Sequence, residues 1–292
     1  MNATSAREIP RISVITPSLN QAPYLEQTLR SVLGQDYPDL EYIVIDGGSE
    51  DGSLELIESF GDKLSYWISE PDRGQSHAIN KGFAKATGDI YCWINADDYL
   101  LPGALNRMAE AWSAEQHRDW WIGGVDELRM KTSMSSPYPV DKSFSFEELP
   151  WRHKICQPGV FWRSRIHLPL DLGLHYAMDL DLWNRFWRTS GKAGFVNQQL
   201  AVNRIYDTTK TNTGGSLILD ELYTISKRYG SSLSLSILMR YGIVPAVCRA
   251  NTPAKPKFWR AIRFAMLKVA CMVYGRKVHR AVIFWSYFIN EN

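Results

Sequence analysis

The 292-residue sequence is poor in cysteine, and its four cysteines lie far apart with no CxxC spacing. Cys92, Cys156, Cys248 and Cys271 indicate neither a zinc site nor a disulfide framework, so we expect reduced thiols in a cytoplasmic protein. The sequence also lacks an uninterrupted run of roughly eighteen apolar residues, so no membrane-spanning helix is expected. Its first residues, MNATSAREIPR, contain no apolar segment, and we expect no secretory signal.

Two glycine-rich nucleotide-binding motifs are missing as well. The loop after the first predicted strand reads TPSLNQ and has no GxGxxG, and GxxxxGK[ST] occurs nowhere. Because those glycines let the backbone approach phosphates closely, their absence weighs against an NAD(P)-dependent enzyme and against a P-loop NTPase. A nucleotidyltransferase would also use a glycine-rich first loop, so that class of enzyme is disfavoured too.

Acidic residues are almost absent from the last quarter of the chain. Residues 222–292 contain 12 Lys and Arg residues and one acid, Glu291, a balance of +11, whereas residues 1–221 have a balance of −9. An acidic body is typical of a metal-using enzyme, and a basic tail fits an anionic surface. We expect no nucleic acid partner, because the body is acidic and no recognised nucleic acid-binding motif is present.

Hydrophobic residues, in contrast, make up 45% of the sequence and aromatic residues 12%, which is enough for one sizeable core. Strand-forming runs alternate with helical stripes of apolar residues through the first half of the chain. This alternation predicts an α/β fold with a mostly parallel, Rossmann-like sheet, helices on both faces and ligands outside the carboxyl ends of the strands. The predicted strands are 11–16, 41–45, 64–69, 90–94 and 120–125.

The rest of the chain is less regular. We predict a loop and a short strand at 146–163, a helix at 176–191, strands at 193–206 and a mobile loop at 207–216. Within 255–289, basic residues lie broadly opposite an apolar face on a helical plot. This helical tail fits the interface of an anionic membrane, such as the inner face of the plasma membrane, and equally fits a subdomain packed on the body.

The most distinctive stretch is WINADDYLLPG, at the end of the fourth predicted strand. Asn95, Asp97 and Asp98 offer oxygen ligands there, and Mg²⁺ or Mn²⁺ commonly bind through one or two carboxylates together with substrate phosphates. The alternative is an ordinary helix N-cap for the segment that begins near Leu101. The residues alone leave both interpretations open.

A second polar segment, EPDRGQSHAINKG, follows the third predicted strand. Arg73 can complement an anionic ligand, and the backbone amides from Gly74 to Ser76 lie at a predicted helix N-terminus, where negative charge is favoured. The alternative is that Arg73 is solvated and that Gln75 and Ser76 only cap the helix.

Two long segments carry a family resemblance. The chain reads SVITPSLNQAPYLEQTLRSVLGQDYPDLEYIVIDGGSEDGS and then SEPDRGQSHAINKGFAKATGDIYCWINADDYLLPGAL. These ordered motifs resemble glycosyltransferase family 2, and the resemblance covers roughly residues 10–215. It implies a GT-A fold and an inverting transferase that uses a nucleotide-sugar donor.

The resemblance implies roles for residues on the donor side. Thr16 and Pro17 would lie beside the nucleotide base, and Asp46 would bind the base, with Gly47 at the place of a second acid. His77 stands where relatives often have Asp and would contribute to the donor contacts.

NADD matches the family's DxD element, with Asn95 at the place of the usual first Asp. Asp97 would lie near the ribose or the metal, and Asp98 near the metal and the diphosphate. Tyr206 stands near the place of a His in the family's closing loop, and Lys210 could reach the diphosphate. The residues expected to bind the nucleotide sugar are Thr16, Pro17, Asp46, Arg73, Gln75, His77, Asp97 and Lys210.

On the acceptor side, HYAMDLDLWNRF resembles the family's (E/D)DxDLWLR motif, with Met178 at the place of the first acid. Asp179 is then the candidate general base and Asp181 a second acid. Two positions apart on a helix, the two side chains point roughly 200° apart, and we assign Asp179 to the site because it lies in the first turn. For either acid the alternative is a helix cap. QPGVFWR matches an acceptor-lining segment, which implies Gln157 and Pro158.

We therefore expect an enzyme that moves a sugar from a nucleotide-diphosphate sugar, most commonly a UDP-sugar, to a hydroxyl of a glycan or lipid-linked acceptor. A role in cell-surface polysaccharide synthesis and a divalent cation, Mn²⁺ or Mg²⁺, are expected. A catalytic domain at 1–220 would divide into a nucleotide-sugar part at about 10–125 and an acceptor side at about 126–220, followed by the tail at 221–292.

Two alternatives to this function stay open. A catalytically inactive nucleotide-sugar-binding or scaffold protein is favoured by Gly47, Asn95 and Met178, which stand where the family usually has acids. A nucleotidyltransferase on a similar sheet is the other alternative, and it would release pyrophosphate.

Overall fold

The computed structural model describes residues 9–138, 149 and 155–229. These residues belong to two compact units. The first comprises 9–138 and 155–209, and the second comprises residue 149 and the segment from 210 to 229. The whole β-sheet lies in the first unit. The predicted tail at 221–292 lies outside the described residues from position 230 onward.

One part of the sheet, here called the parallel part, has the strand order β3-β2-β1-β4 with every pair parallel. Each strand is linked to the next by a helical connection, the arrangement that places helices on the faces of a sheet. The strands are β1 (Ile12–Ser18), β2 (Leu40–Asp46), β3 (Tyr66–Ser69) and β4 (Ile90–Trp93). The helices are α1 (Ala22–Leu33), α2 (Ser53–Ser59) and α3 (Gln75–Phe83).

The carboxyl ends of these strands meet at one edge of the sheet. Ser18 pairs with Asp46, Asp46 pairs with Ser69, and Ile15 pairs with Trp93. The loops that follow the four strands therefore open side by side, as the sequence predicts for a ligand-binding edge.

The rest of the sheet, here called the mixed part, has the order β8-β6-β9-β5 and joins the parallel part through the antiparallel pair β4 and β8. Strands β6 and β9 are parallel, whereas β6 pairs antiparallel with β8 and with β7, and β5 pairs antiparallel with β9. The strands are β5 (Tyr99–Leu100), β6 (Trp120–Arg129), β7 (Met134–Tyr138), β8 (Val160–Arg163) and β9 (Gly194–Ile205). The helices are α4 (Ala104–Ala114) and α5 (Met178–Ser190).

An irregularity interrupts the pairing of β6 with β9. Gly123 is opposite Val196, but Val125, only two positions later, is opposite Ala201. A Cβ atom on Gly124 would lie 1.6 Å from the side-chain oxygen of Gln199, so a larger residue there would displace the Gln199 side chain from its contacts with Val125 and Asp126. The bulge sets the register of the last residues of β9 relative to β6.

Aromatic side chains fill the space between α5 and the sheet. Trp183 of α5 stacks on Trp93 with ring centroids 5.6 Å apart and on Trp120 with centroids 6.2 Å apart. Trp162 and Phe186 complete this fully buried cluster. Because rings of this size bury a large apolar area in fixed geometry, the cluster anchors α5 against the carboxyl end of β4.

The α/β fold predicted from the sequence is confirmed, and its parallel pairing is concentrated in the first four strands. The prediction of a loop at 207–216 is wrong, because this segment contains α6 (Lys210–Thr213) and the start of α7 (Gly215–Tyr229). Strands are predicted at 193–206, and the structure has there the single long strand Gly194–Ile205. Within the described parts of the chain, the structure contains no helix that is both long and apolar enough to span a bilayer.

Candidate functional site

The residues after β4 form a tight corner at the carboxyl edge of the sheet. The backbone N–H of Asp98 donates to the carbonyl of Asn95 (3.0 Å), and the Thr28 hydroxyl of α1 lies 2.8 Å from the carbonyl of Ala96 and 2.6 Å from that of Asp98. Strand β5 follows the corner directly, and the N-cap of α4 is Gly103. The two acids of the corner therefore do not cap α4, which excludes the helix-cap alternative.

Asp98 is the more deeply placed acid, since its side chain is buried with 2% relative exposure. One carboxylate oxygen accepts the backbone N–H of Arg204 at 3.0 Å, and the other accepts the side-chain amide of Asn95 at 3.2 Å. Neighbouring Asp97 accepts the hydroxyl of Tyr206 at 2.8 Å. Residues from the end of β9 therefore contact both acids.

Arg204 is the cation that lies closest to the two acids among these contacts. Its guanidinium donates to the backbone carbonyl of Asp97 and to the side chain of Gln27. The same group lies over the ring of Tyr99, 4.7 Å from the centroid, and over that of Tyr24 at 5.3 Å. A buried cation enclosed by two rings and two oxygen acceptors keeps its charge, so it partly compensates the acids.

Burial dominates the electrostatics of the corner. Burial raises the pKa of Asp98 well above its ordinary value, and the charge of Asp97 raises it further, although Arg204 and Asn95 oppose the shift. Burial also raises the pKa of Asp97, against the hydrogen bond from Tyr206 and the charge of Arg204. Two adjacent buried carboxylates favour an added positive charge, because it offsets their repulsion and lost hydration.

The donor set of the corner fits a divalent cation such as Mg²⁺ or Mn²⁺, which prefers oxygen ligands. Asp97 and Asp98 could supply two carboxylates. The described residues contain no group of three or more His, Cys, Asp or Glu side chains placed to hold a metal. Further ligands would then be phosphate oxygens and water, the usual arrangement for Mg²⁺ beside a phosphorylated substrate.

A chain of three side-chain amides lies beside the same corner. The amide nitrogen of Gln75, at the start of α3, donates to the side-chain oxygen of Asn95 at 2.7 Å. The Asn95 nitrogen is 3.2 Å from the side-chain oxygen of Gln157, and the Gln157 nitrogen donates to the carbonyl of Trp93 at 2.8 Å. Gln157 and Pro158 are buried in a short 3₁₀-helix that precedes β8. The structure thus brings Gln75 and Gln157 together through Asn95.

Asp46, at the end of β2, is fully buried and shapes its own loop. Its carboxylate accepts the backbone N–H groups of Gly48 (3.1 Å) and Ser49 (2.8 Å) and the hydroxyls of Ser49 (2.5 Å) and Ser69 (2.6 Å). A Cβ atom on Gly47 would lie 2.7 Å from a carboxylate oxygen of Asp72. At position 47, where the resemblance implies a second acid, the space for a side chain is therefore taken by the carboxylate of Asp72, a residue outside the predicted site.

Thr16 and Pro17 lie within the last residues of β1, and their predicted place beside a nucleotide base stays a prediction. Thr16 is fully buried with its hydroxyl 3.0 Å from that of Tyr42, and Pro17 pairs with Ile45 inside the strand. Leu19, the next residue after β1, is 50% exposed.

The N-terminus of α3 is ordered by two side chains. Asp72 accepts the N–H of Gly74 at 2.7 Å, and the Nδ1 atom of His77 accepts the N–H of Arg73 at 3.1 Å. The imidazole nitrogen serves here as the acceptor that a carboxylate would provide, which explains how His replaces Asp at this position. The Arg73 side chain is exposed.

The two acids of α5 have different surroundings. Asp181 is 1% exposed and forms an ion pair with Arg185 at 2.9 Å. The charge of Asp179 acts on the buried thiol of Cys156, the residue that precedes Gln157. The pKa of this thiol is raised well above the ordinary value, first by burial and then by the charges of Asp98, Glu127 and Asp179. The charges of three carboxylates thus act on this thiol. Neither Glu127 nor Arg204 carries a local sequence signal that marks it as a site residue.

Lys210 belongs to the second compact unit, where it begins α6. Its predicted contact with a diphosphate stays a prediction.

Comparison with known sequences gives a family match. The family model described as Glycosyl transferase family 2 matches residues 13–165, just over half of the chain. An uncharacterised glycosyltransferase of Rickettsia typhi is 28% identical over 216 residues, which cover 70% of this chain and 67% of the relative. An uncharacterised glycosyltransferase of a Nostoc species is 39% identical over 136 residues, covering 44% of this chain and 42% of the relative.

Solved structures share the fold at low sequence identity. S. aureus TarS 1–349 in complex with UDP-GlcNAc has a TM-score of 0.61 at 12% identity, and the match covers 96% of this chain and 91% of that one. The mannosyltransferase PcManGT of Pyrobaculum calidifontis, in complex with GDP-Man and Mn²⁺, has a TM-score of 0.60 at 19% identity, covering 98% and 86%. With the sheet order and the family match, these likenesses show that the chain has a GT-A fold and belongs to glycosyltransferase family 2, a family of enzymes that transfer sugars.

Proposed function

We propose that this enzyme is an inverting, cation-dependent glycosyltransferase that moves one sugar from a nucleotide-diphosphate sugar to a hydroxyl of a glycan or lipid-linked acceptor. A role in cell-surface polysaccharide synthesis is part of the proposal. The single observation that carries it is the adjacent pair Asp97 and Asp98 at the carboxyl end of β4, of which Asp98 is buried, together with Asp179 in the first turn of α5.

The donor binds, in this proposal, along the loops at the carboxyl edge of the parallel part. The solved structures with this fold contain UDP-GlcNAc in one case and GDP-Man with Mn²⁺ in the other, which supports a nucleotide-sugar donor. Asp46, Thr16 and Pro17 lie at or just below the loops that would receive the base. The N-terminus of α3, with exposed Arg73 beside it, offers positive charge for phosphate groups.

Asp97 and Asp98 would hold the divalent cation. When bound, the cation would offset the negative charge that develops on the leaving diphosphate. The protein's part is to keep both carboxylates oriented and shielded from water, which the contacts from Arg204, Asn95 and Tyr206 do. Lys210 remains a candidate for a further contact with the diphosphate.

Asp179 is proposed as the general base. Its carboxylate would take the proton of the acceptor hydroxyl while the hydroxyl oxygen bonds to the anomeric carbon and the nucleoside diphosphate leaves with the bonding electrons. Such proton transfer typically contributes about 10²–10⁴-fold to the rate. A single displacement inverts the anomeric centre. Asp181 is unsuited to this role, since its charge is paired with Arg185 within α5.

The acceptor would approach between the N-terminus of α5 and the segment that contains Gln157 and Pro158. Association of the basic tail with an anionic membrane, which would bring the enzyme to lipid-linked acceptors, is also a proposal.

A donor screen tests the function. The purified full chain is incubated with UDP- and GDP-sugars in Mn²⁺, in Mg²⁺ and in EDTA, and nucleotide release is measured with and without candidate acceptors. We expect release that requires a cation and that increases with an acceptor. Nucleotide-sugar binding with no release under any condition would contradict catalysis and support an inactive binding protein, and release of pyrophosphate would indicate a nucleotidyltransferase.

A further inference from the structure

We infer that Asn95 positions Asp98 instead of binding the cation itself, and that Gln157 sets the direction in which the Asn95 amide points. The inference rests on the proposed function in one respect, namely that the group bound by Asp98 is a divalent cation. It is carried by the amide chain that runs from Gln75 through Asn95 to Gln157.

The chain has a fixed direction because one end meets a group that can only accept. The backbone carbonyl of Trp93 has lone pairs and no hydrogen, so the Gln157 amide must turn its nitrogen toward it, at 2.8 Å. The Gln157 oxygen then faces Asn95, and Asn95 must present its nitrogen at 3.2 Å. Its own oxygen is left to accept from Gln75 at 2.7 Å.

The same Asn95 nitrogen carries a second hydrogen, which it directs to Asp98 at 3.2 Å. An amide nitrogen does not ligate Mg²⁺ or Mn²⁺, and the Asn95 oxygen points to Gln75 while the nitrogen faces Asp98. Asn95 therefore acts on the cation only through Asp98, whose other oxygen is held by the backbone N–H of Arg204. The Asp98 carboxylate is fixed from two sides.

Gln157 takes a corresponding role. The residue is 9% exposed, and both ends of its amide are occupied inside the protein, by Trp93 and by Asn95. We therefore assign Gln157 to positioning. The amide chain links the start of α3 with the 3₁₀-helix ahead of β8.

The contacts of Asn95 with Asp98 and Gln157 predict what happens when Asn95 is replaced by Asp, the residue that the family resemblance implies at this position. In Asn95→Asp, a carboxylate oxygen would replace the nitrogen 3.2 Å from both the Asp98 and the Gln157 oxygens, so two attractive contacts become repulsive. If Asn95 were a cation ligand, the added carboxylate would tighten binding, because carboxylates are better ligands for hard cations. The two roles predict opposite signs.

The measurement is the affinity for Mn²⁺ in the presence of UDP, by isothermal titration calorimetry on the full chain. We expect Asn95→Asp to weaken Mn²⁺ binding about 10–100-fold, the range typical of residues that orient metal-binding groups. Equal or tighter binding would overturn the inference.

Gln157→Met supplies an independent test, because it keeps the side-chain volume and removes both amide contacts. We expect about tenfold weaker Mn²⁺ binding, and Asn95→Asp should cost less in this background than alone, because the opposing Gln157 oxygen is gone. Gln116→Met, at an exposed position, is the matched control and should bind Mn²⁺ as the wild type does. Strictly additive effects, or a lower melting temperature with unchanged Mn²⁺ affinity, would refute the positioning role.

Crystal structures of the metal-free wild type and Asn95→Asp separate this inference from the proposed function. We expect the Asp98 carboxylate to turn away from position 95 in the variant, and an unchanged carboxylate orientation would overturn the inference. A wild type that binds UDP with no dependence on Mn²⁺ would instead remove the cation from the proposed function.

Discussion

The two parts of the sheet hold their polar site residues in different ways. In the parallel part, Asp46 bonds to Gly48 and Ser49 of its own loop and to the end of the neighbouring strand. In the mixed part, Arg204 and Gln157 reach the corner after β4 from positions 106 and 62 residues away from their partners. The loop after β2 is thus held by contacts within the parallel part, whereas the corner after β4 also depends on contacts from the mixed part.

This difference separates two kinds of mutation. A change in a donor loop removes contacts within a few residues, and the rest of the sheet can keep its structure. A change in the β9 residues that contact the corner leaves the negative charge of the carboxylates there without a nearby positive charge. Such a change affects both the free energy of unfolding and the chemistry of the site.

The largest expected effect is a loss of catalytic rate. It would show that a residue packed on the mixed part of the sheet takes part in the reaction. Asp179→Asn should retain nucleotide-sugar binding and lower kcat by about 10²–10⁴-fold, because the proposed base is lost. The control is Asp181→Asn, which breaks the ion pair with Arg185 and should reduce stability more than kcat. Near-normal turnover in Asp179→Asn would show that another group accepts the proton.

The next effect is on folding. Arg204→Met should lower the free energy of unfolding by about 3–5 kcal/mol, because the buried acids lose their nearest compensating charge. Arg30→Met is the control, since its ion pair with Glu26 is more than half exposed on both sides and should contribute no more than about 0.5 kcal/mol. Urea denaturation of the two variants checks this, and equal losses would mean that Arg204 is not needed by the corner.

A smaller effect is expected in the parallel part. Asp46→Ala removes an acceptor that serves four donors, some of which water can then reach, so we expect a loss of about 1–3 kcal/mol. Nucleotide affinity should fall while Mn²⁺ affinity is kept, because the loop is held by contacts within the parallel part. Asp62→Ala, at an exposed position, serves as the control. A loss of Mn²⁺ affinity in Asp46→Ala would break the comparison between the two parts.

The smallest effect is a pH dependence at the seam of the two parts. His167 packs against Phe83, Tyr91 and Trp162, and burial, with nearby Arg185 in second place, lowers its pKa to about 4. Since the unfolded chain binds the proton more readily, His167 costs stability as pH falls from 6.5 toward about 4.

Thermal unfolding of the wild type and His167→Phe across that range measures this contribution. The melting temperature of the variant should decline less than that of the wild type between pH 6.5 and 5, above the range in which most carboxylates titrate. Parallel curves would show that His167 has an ordinary pKa in the folded protein.

Local sequence patterns were sufficient for the parallel part and insufficient for the corner. Polar residues directly after apolar strands predicted the loops that follow β1, β2 and β4, because strand ends of parallel units share an edge. The partnership of Asp98 with Arg204 depends on the register of β9, which no local pattern encodes. The segment at 207–216 was misread because Thr, Asn and Gly favour loops, although α6 and α7 form there.

The bulge between β6 and β9 has a consequence for how chain length can vary in relatives. Side chains alternate between the two faces along a strand. One extra residue between the bulge and Arg204 would therefore turn the Arg204 side chain to the opposite face of the sheet, and the residue next to Arg204 would then lie beside Asp98. An insertion on the other side, between Val196 and Ala201, could be absorbed where the pairing is already uneven. Length differences among homologous chains should therefore occur upstream of Ala201 and be rare between Ala201 and Arg204.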